Sequence, residues 1–311
     1  MCPSRIPPGG DVPSLQNQPM KSPSPRALAL SFTSLLAILS LPLRGADAPQ
    51  AATGPRKSVR LLTIGNSLSN NMLSALPQLA KAGGKELIVF PANTSASKLE
   101  EHAMKFQQSE PGAVNRKPVS PAYRGRIDQR TGQKKDFNLG EALQSADWDF
   151  VSIQQYSEES YKPESFQPAA GILIDAIHKY APHAQVLGYQ TWAYPDEYIA
   201  KTGFKMSQAG MFKGIEASYQ KLAVESHARV VPVGEAFQAA RSLPKPIDLN
   251  GGDKHANPAG QFLAAAVFYE ILFNENVESN PYMPNHVSPE DVKALRRIAH
   301  EVVAKAAGKT R

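Results

Sequence analysis

Residues 60–71 read Arg-Leu-Leu-Thr-Ile-Gly-Asn-Ser-Leu-Ser-Asn-Asn. The apolar run from Val59 to Ile64 predicts a strand buried on both faces, as in a parallel sheet. It stops at Gly65-Asn66-Ser67, and an amphipathic segment follows from Met72 to Ala82 with Leu73, Leu76, Leu79 and Ala80 at helical spacing. Ser67 is thereby expected on a tight turn between the carboxyl end of a strand and the amino end of a helix. In open α/β sheets ligands bind at such turns, and helix-terminal N–H groups there face anything negative, including the oxyanion of an ester under attack. Taken alone, the tripeptide is equally a plain turn in which Ser67 or Ser69 caps the helix.

Outward from this stretch the pattern alternates. Strands are expected at Glu86–Phe90, Trp148–Ile153, Gln185–Tyr189 and Arg229–Val233. Helices are expected at Leu99–Phe106, Phe166–Tyr180, Met206–Ser226, Pro258–Phe273 and Pro289–Ala307, and regular structure resumes at Leu139–Leu143. Strands separated by helices imply right-handed crossovers and an α/β fold, a three-layer α/β/α sandwich around a five-stranded parallel sheet. Residues 107–138 break the rhythm. They are polar and basic with scattered Pro and Gly, and read as a surface insertion, either a lid or specificity loop or a disordered segment. Ser67, Asn93, Gln154, Gln190 and Glu235 each fall within a few residues of a predicted strand's carboxyl end, so polar groups gather on one rim.

At 311 residues and 42% apolar composition, the chain suits one α/β domain of roughly 250 residues, placed at 58–307. Residues 1–48 read instead as a leader. Lys21 and Arg26 precede an apolar stretch, 27–43, which is followed by Ala46-x-Ala48, the pattern of a secretory signal peptide cleaved near Ala48. An uncleaved membrane anchor is the alternative, but the stretch is short for a span and contains Ser, Thr and Pro. The mature protein is expected to be secreted or periplasmic, with residues 49–57 as a linker and no stable membrane anchor. Cys2, the only cysteine, lies in the leader, which leaves no thiol for a disulfide, a metal or catalysis. Of the formal +6, four Lys/Arg and two Asp/Glu precede Pro49, so +4 remains. No basic run stands out, and nucleic acid is not an expected partner; a polyanionic sugar is compatible with this charge.

A serine nucleophile needs a base, and histidine titrates in the useful range. His178 and His300 fall in amphipathic helices, His183 and His227 precede strands, and His286 lies in a Pro/Asn loop. His102 follows the loop after the second strand and stays ambiguous. His255 differs: it lies in Asn250-Gly-Gly-Asp-Lys-His-Ala-Asn-Pro-Ala-Gly260, just before a helix. Glycines on one side and Asn-Pro on the other make a loop able to hold an imidazole over the sheet's rim. Asp253, two residues upstream, is placed to orient it.

Gly-Asn-Ser-Leu resembles the Gly-Asp-Ser-Leu block of the SGNH/GDSL hydrolases, and His-x-x-Pro-Ala-Gly with Phe-Leu-Ala-Ala-Ala-Val-Phe-Tyr after it resembles their last block. Ser95-Ala96-Ser97-Lys98-Leu99-Glu100-Glu101-His102 is similar to the Gly-Gly-x-Ser-Leu-Glu-x-His loop of related secreted members, and Ile153-Gln154-Gln155-Tyr156-Ser157 to a Leu-Gln-x-x-Ser variant. The resemblance covers residues 58–275. It implies a sheet in the flavodoxin-like order 2-1-3-4-5, Ser67 as nucleophile, His255 as base and Asp253 as the triad acid. The family spacing is Asp-x-x-His, which puts Gly252 where the aspartate belongs and leaves Asp248, or a backbone carbonyl, as fallback. An oxyanion hole is implied from the N–H groups of Ser67 and Ala96 with the Gln154 amide. A positive φ at residue 96 would disfavour alanine. Gln154 and Gln155 are equally readable as loop braces. Trp192, Tyr156 and Glu235 are expected to line the pocket, the aromatics stacking on a sugar face or packing in the core.

The resemblance thus implies a secreted serine esterase that forms an acyl-enzyme. Its expected substrate is a small-molecule or oligosaccharide ester, with an O-acetyl group on a carbohydrate foremost. No cofactor or metal is expected. The rival readings are a non-catalytic carbohydrate-binding protein on the same fold, a metal-dependent phosphoesterase or sulfatase, and an acyl transferase.

Overall fold

The computed structural model describes residues 54–112 and 123–309. The leader, its h-region at 27–43, the cleavage site near Ala48 and most of the 49–57 linker lie outside the described residues, as does the stretch 113–122.

Five parallel strands form the central sheet: β1 (Ser58–Gly65), β2 (Glu86–Asn93), β5 (Phe150–Ile153), β6 (Gln185–Tyr189) and β7 (Arg229–Val231), in the order β2-β1-β5-β6-β7. Layering and strand order are those expected from the SGNH/GDSL resemblance. In β1, Val59 and Leu61 enter one core while Leu62 and Ile64 enter the other. Successive strand residues point to opposite faces, so a strand covered on both sides reads as a largely apolar run.

On one face lie α1 (Ser67–Leu73), α2 (Leu76–Ala82), α8 (Val233–Arg241), α9 (Pro258–Phe273) and α10 (Pro289–Lys309). On the other lie α3 (Leu99–Ser109), α4 (Leu139–Gln144), α5 (Ala169–Tyr180) and α7 (Gln208–Ser226). A short helix, α6 (Asp196–Thr202), follows β6. Every residue of α9 from Ala259 to Phe273 except Gln261 is buried, because α10 covers the side turned away from the sheet. Among the described residues no helix is long and apolar enough to cross a membrane.

Four expectations are corrected. The helix after the nucleophile turn starts at Ser67 rather than Met72 and is interrupted at Ser74–Ala75. The fifth strand ends at Val231, and Val233–Arg241 is a helix, so Glu235 sits in a first helical turn and not at a strand end. The helix expected from Phe166 begins at Ala169, after the cis Gln167–Pro168 bond. The polar insertion contains an antiparallel pair, β3 (Tyr123–Ile127) with β4 (Lys134–Phe137). Tyr123 and Phe137 are its buried anchors and meet the ring of Phe90, each edge to face.

Candidate active site

Asn66 makes the nucleophile turn. It is the N-cap of α1, and its Oδ1 accepts the Leu68 N–H at 3.1 Å. This leaves the N–H of Ser67, the first helical residue, without an intrahelical acceptor, as geometry requires of a helix start. The turn is tight. A Cβ on Gly65 would lie 2.4 Å from Ser69 Oγ and 2.8 Å from Gln154 Oε1, distances that only glycine avoids.

His255 arrives from the opposite end of the chain. Its Nε2 lies 3.0 Å from Ser67 Oγ, and its Nδ1 lies 3.0 Å from Asp253 Oδ2. A carboxylate only accepts, so Nδ1 carries the proton and Nε2 is the acceptor for the serine hydroxyl. The Asp-x-His spacing works because Asp253 folds back on its own loop: Oδ1 accepts the His255 backbone N–H at 2.7 Å while Oδ2 takes the ring. This is an Asx-type turn with the imidazole as its second donor. Burial pushes the Asp253 carboxyl up, but the bonds from the His255 ring and backbone, with the charges of His255 and Lys254, outweigh it and hold the carboxyl below its ordinary value. Asp248, the fallback, instead accepts the Asn250 N–H.

The His255 loop is fixed at several backbone groups around the ring. The His255 carbonyl accepts from Gly251 N–H and Asn250 Nδ2, and Trp192 Nε1 donates to the Lys254 carbonyl. The Ala256 N–H donates to Asn71 Oδ1 of α1. Asn257 caps α9 through the Ala259 and Gly260 N–H groups. A Cβ on Gly260 would come 2.2 Å from the Leu249 carbonyl oxygen, which explains glycine after Pro-Ala.

The loop carrying Ala96 leans on the same turn. Thr94 N–H donates to the Gly65 carbonyl, Ser97 N–H to the Thr94 carbonyl, and Asn66 Nδ2 to the Ser97 carbonyl. Ala96 has φ 55°, the left-handed conformation in which an alanine costs roughly 1–2 kcal/mol. Among the described residues neither the Ser67 nor the Ala96 N–H has an acceptor within the chain.

Other expected site residues are placed differently. Gln154 is fully buried, and its Oε1 accepts from Asn66 N–H and Ser69 Oγ while its Nε2 donates to the Gln155 carbonyl. One of the two Nε2 hydrogens is thereby used, and the side chain braces the nucleophile turn from beneath. Gln155 braces the start of α3, its Oε1 taking the Leu99 N–H and its Nε2 reaching Ser165. Both glutamines are loop braces. Trp192 is buried, stacked on Phe237 at 4.5 Å between centroids, and so holds up the His255 loop instead of lining a pocket. Glu235 is half-buried, its N–H donating to Gln190 Oε1. Tyr156 remains half-buried on the rim, its hydroxyl accepting from Lys254 Nζ and donating to Glu158.

The sequence reading missed Asn66 and Asn71 as structural partners of the site. The signal was present in Ser-Asn-Asn at 69–71, since asparagines in a helix start favour side-chain to backbone bonding over helix propagation.

His102 is not at the reacting atoms. It is 1% exposed, with Nε2 donating to the Gly65 carbonyl and Nδ1 accepting from Tyr123, so it ties the β3–β4 hairpin to the nucleophile turn. Burial pushes its imidazole down to about 4 against the opposing pull of the Gly65 carbonyl. The unfolded chain takes up a proton near the ordinary histidine value and the folded chain does not until about pH 4. Stability from this residue is therefore complete above the ordinary value and is lost as pH falls toward 4, by about 3 kcal/mol in total. Urea titrations at pH 7 and pH 4.5 are expected to show a smaller acid loss in His102→Gln than in the native chain; equal losses would contradict the buried neutral ring.

A family model described as "Domain of unknown function (DUF4886)" matches residues 60–302. The chain is similar to a DUF4886 family protein from Bacteroides uniformis, at 26% identity and a TM-score of 0.69 over 79% of this chain and 95% of that one. It also matches a proposed SGNH hydrolase from Slackia heliotrinireducens (25% identity, TM-score 0.47, 68% of this chain and 98% of that one). A third match is a proposed GDSL-like lipase from Parabacteroides merdae (14% identity, TM-score 0.44, 71% and 97%). No curated protein matches.

Proposed function

The chain belongs to the DUF4886 family, and on the geometry of its rim we propose that it is a serine esterase working through an acyl-enzyme. The observation that carries this reading is the continuous chain of 3.0 Å contacts from Ser67 Oγ through His255 to Asp253. Nucleophile, base and orienting carboxylate in that sequence of contacts are what acyl transfer requires.

In the proposed reaction Ser67 Oγ attacks the ester carbonyl carbon and its proton passes to His255 Nε2. The carbonyl oxygen becomes an oxyanion, held by the N–H groups of Ser67 and Ala96. Collapse breaks the bond to the alcohol oxygen, which leaves with the proton from Nε2. Water then attacks the acyl-enzyme with His255 again as base, releasing the acid and restoring Ser67. Each oxyanion donor contributes about 10²–10³ in rate.

An O-acetyl group on a carbohydrate is the proposed substrate, delivered outside the cell by the proposed signal peptide. The rim beside His255 carries Tyr156, Lys254 and Glu158 joined by hydrogen bonds, a polar surface that suits a sugar's hydroxyls and supports this reading. The mature chain is expected to hydrolyse p-nitrophenyl acetate, to be labelled at Ser67 by a fluorophosphonate, and to release acetate from acetylated xylan. Labelling at another residue, or none, would defeat the esterase reading. Turnover of p-nitrophenyl acetate with no acetate from the polysaccharide would defeat only the carbohydrate assignment.

A further inference from the structure

We propose that Asn66 is the positioning residue of the oxyanion site, and that position 66 needs an amide where a carboxylate would not serve. The inference rests on the esterase reading and deepens it. Asn66 is 1% exposed, and both ends of its side chain are used. Oδ1 accepts the Leu68 N–H at 3.1 Å and Nδ2 donates to the Ser97 carbonyl at 3.0 Å. The two partners fix which end is which, because a backbone N–H only donates and a carbonyl only accepts. Its own N–H is held by Gln154 Oε1 at 3.1 Å, and its carbonyl by Asn70 N–H.

One side chain therefore joins the residue before the nucleophile to the residue after Ala96. These are the two backbone segments whose free N–H groups would face the oxyanion. The Ala96 segment has reason to drift: it is exposed, and its alanine sits in the left-handed region at φ 55°, a conformation that persists where surroundings over-determine it. The bond from Asn66 Nδ2 is the side-chain contact that holds the Ser97 end of this turn on the nucleophile turn. An aspartate of the same shape would keep the cap on Leu68. It would replace the donor with a second acceptor facing the Ser97 carbonyl, and bury a charge there. The Gly-Asn-Ser form of the motif is in this chain a requirement of hydrogen-bond polarity.

The test compares native protein, Asn66→Asp and Asn66→Ala with p-nitrophenyl acetate. Rates are normalised to active sites counted by end-point fluorophosphonate titration, and an aryl boronic acid reports on the tetrahedral oxyanion. Both variants are expected to lose about 10²-fold in kcat per titrated site, the range for one oxyanion donor, with KM within about threefold. Boronate affinity is expected to fall in parallel. Asn66→Ala buries no charge and so remains informative if Asn66→Asp fails to fold. A drop confined to the number of titrated sites, with native kcat per site, would overturn the inference and leave the esterase reading intact. So would a loss seen in KM alone. A native chain that neither turns over nor titrates overturns the esterase reading and this inference with it.

Discussion

Ser67→Ala is expected to lower p-nitrophenyl acetate turnover by at least about 10³-fold, and His255→Ala to lower it about as far, with the double variant no worse than either. The two side chains share one proton: without His255 the hydroxyl at 3.0 Å has no acceptor, and without Ser67 the imidazole has nothing to activate but water. Residues that act as a unit give losses that do not add. Neither change should unfold the chain. The Ser67 side chain has His255 as its only hydrogen-bond partner among the described residues, and the His255 loop is anchored through backbone groups by Trp192, Asn250 and Asn71. A melting temperature within a few degrees of native, with activity down at least about 10³-fold to the residual rate that oxyanion donors and binding alone support, is the expected pair of results. Ser67→Ala at native rates would remove the nucleophile from position 67. Losses that multiplied in the double variant would mean that serine and histidine act in separate steps.

The parallel sheet was readable in the chain because burial on both faces leaves a largely apolar run, as in Val59–Ile64, where Arg60 alone is exposed, and Val151–Ile153. Its strand order was not, since spacing says that strands alternate with helices but not which lies beside which; the order entered through the motif resemblance. The β3–β4 pair was hidden for a different reason. Its fully buried residues are Tyr123 and Phe137, far apart in sequence, while most residues between them are exposed. Period-2 alternation needs one continuously buried face, and this hairpin has none. Helix α8 was masked by Pro232 and Gly234, which look like loop residues although proline suits a helix start. At the site, the positions of Ser67 and His255 were readable from Gly-Asn-Ser and the loop before α9. Which atom of an amide is already occupied was not. Gln154 looks like a free donor at a strand end until its side-chain carbonyl is found accepting from two groups of the nucleophile turn and its Nε2 donating to the Gln155 carbonyl. Composition lists donors, and only coordinates show their partners.

The Asp253 carboxylate is expected to matter less than Ser67 or His255, and the choice of replacement to matter more than usual. Its side chain is 52% exposed and that of His255 37%, so water screens the pair and can partly take its place. In a buried triad the asparagine variant costs about 10⁴-fold by imposing the wrong tautomer; with this pair half exposed and water able to compete for the ring, a loss of about 10²-fold is expected for Asp253→Asn. The asparagine keeps an oxygen for the His255 backbone N–H but turns an N–H toward Nδ1. That favours the tautomer with the proton on Nε2, where it cannot accept from Ser67. Asp253→Ala offers no such donor, water can receive the Nδ1 proton, and the loop keeps its anchors at Lys254, His255 and Ala256. Alanine is therefore expected to be several-fold more active than asparagine. The Asp253 carboxyl is held below its ordinary value and stays ionised throughout the neutral range, so the two variants are compared there. Asparagine outperforming alanine would show that Asp253 does not set the tautomer of His255.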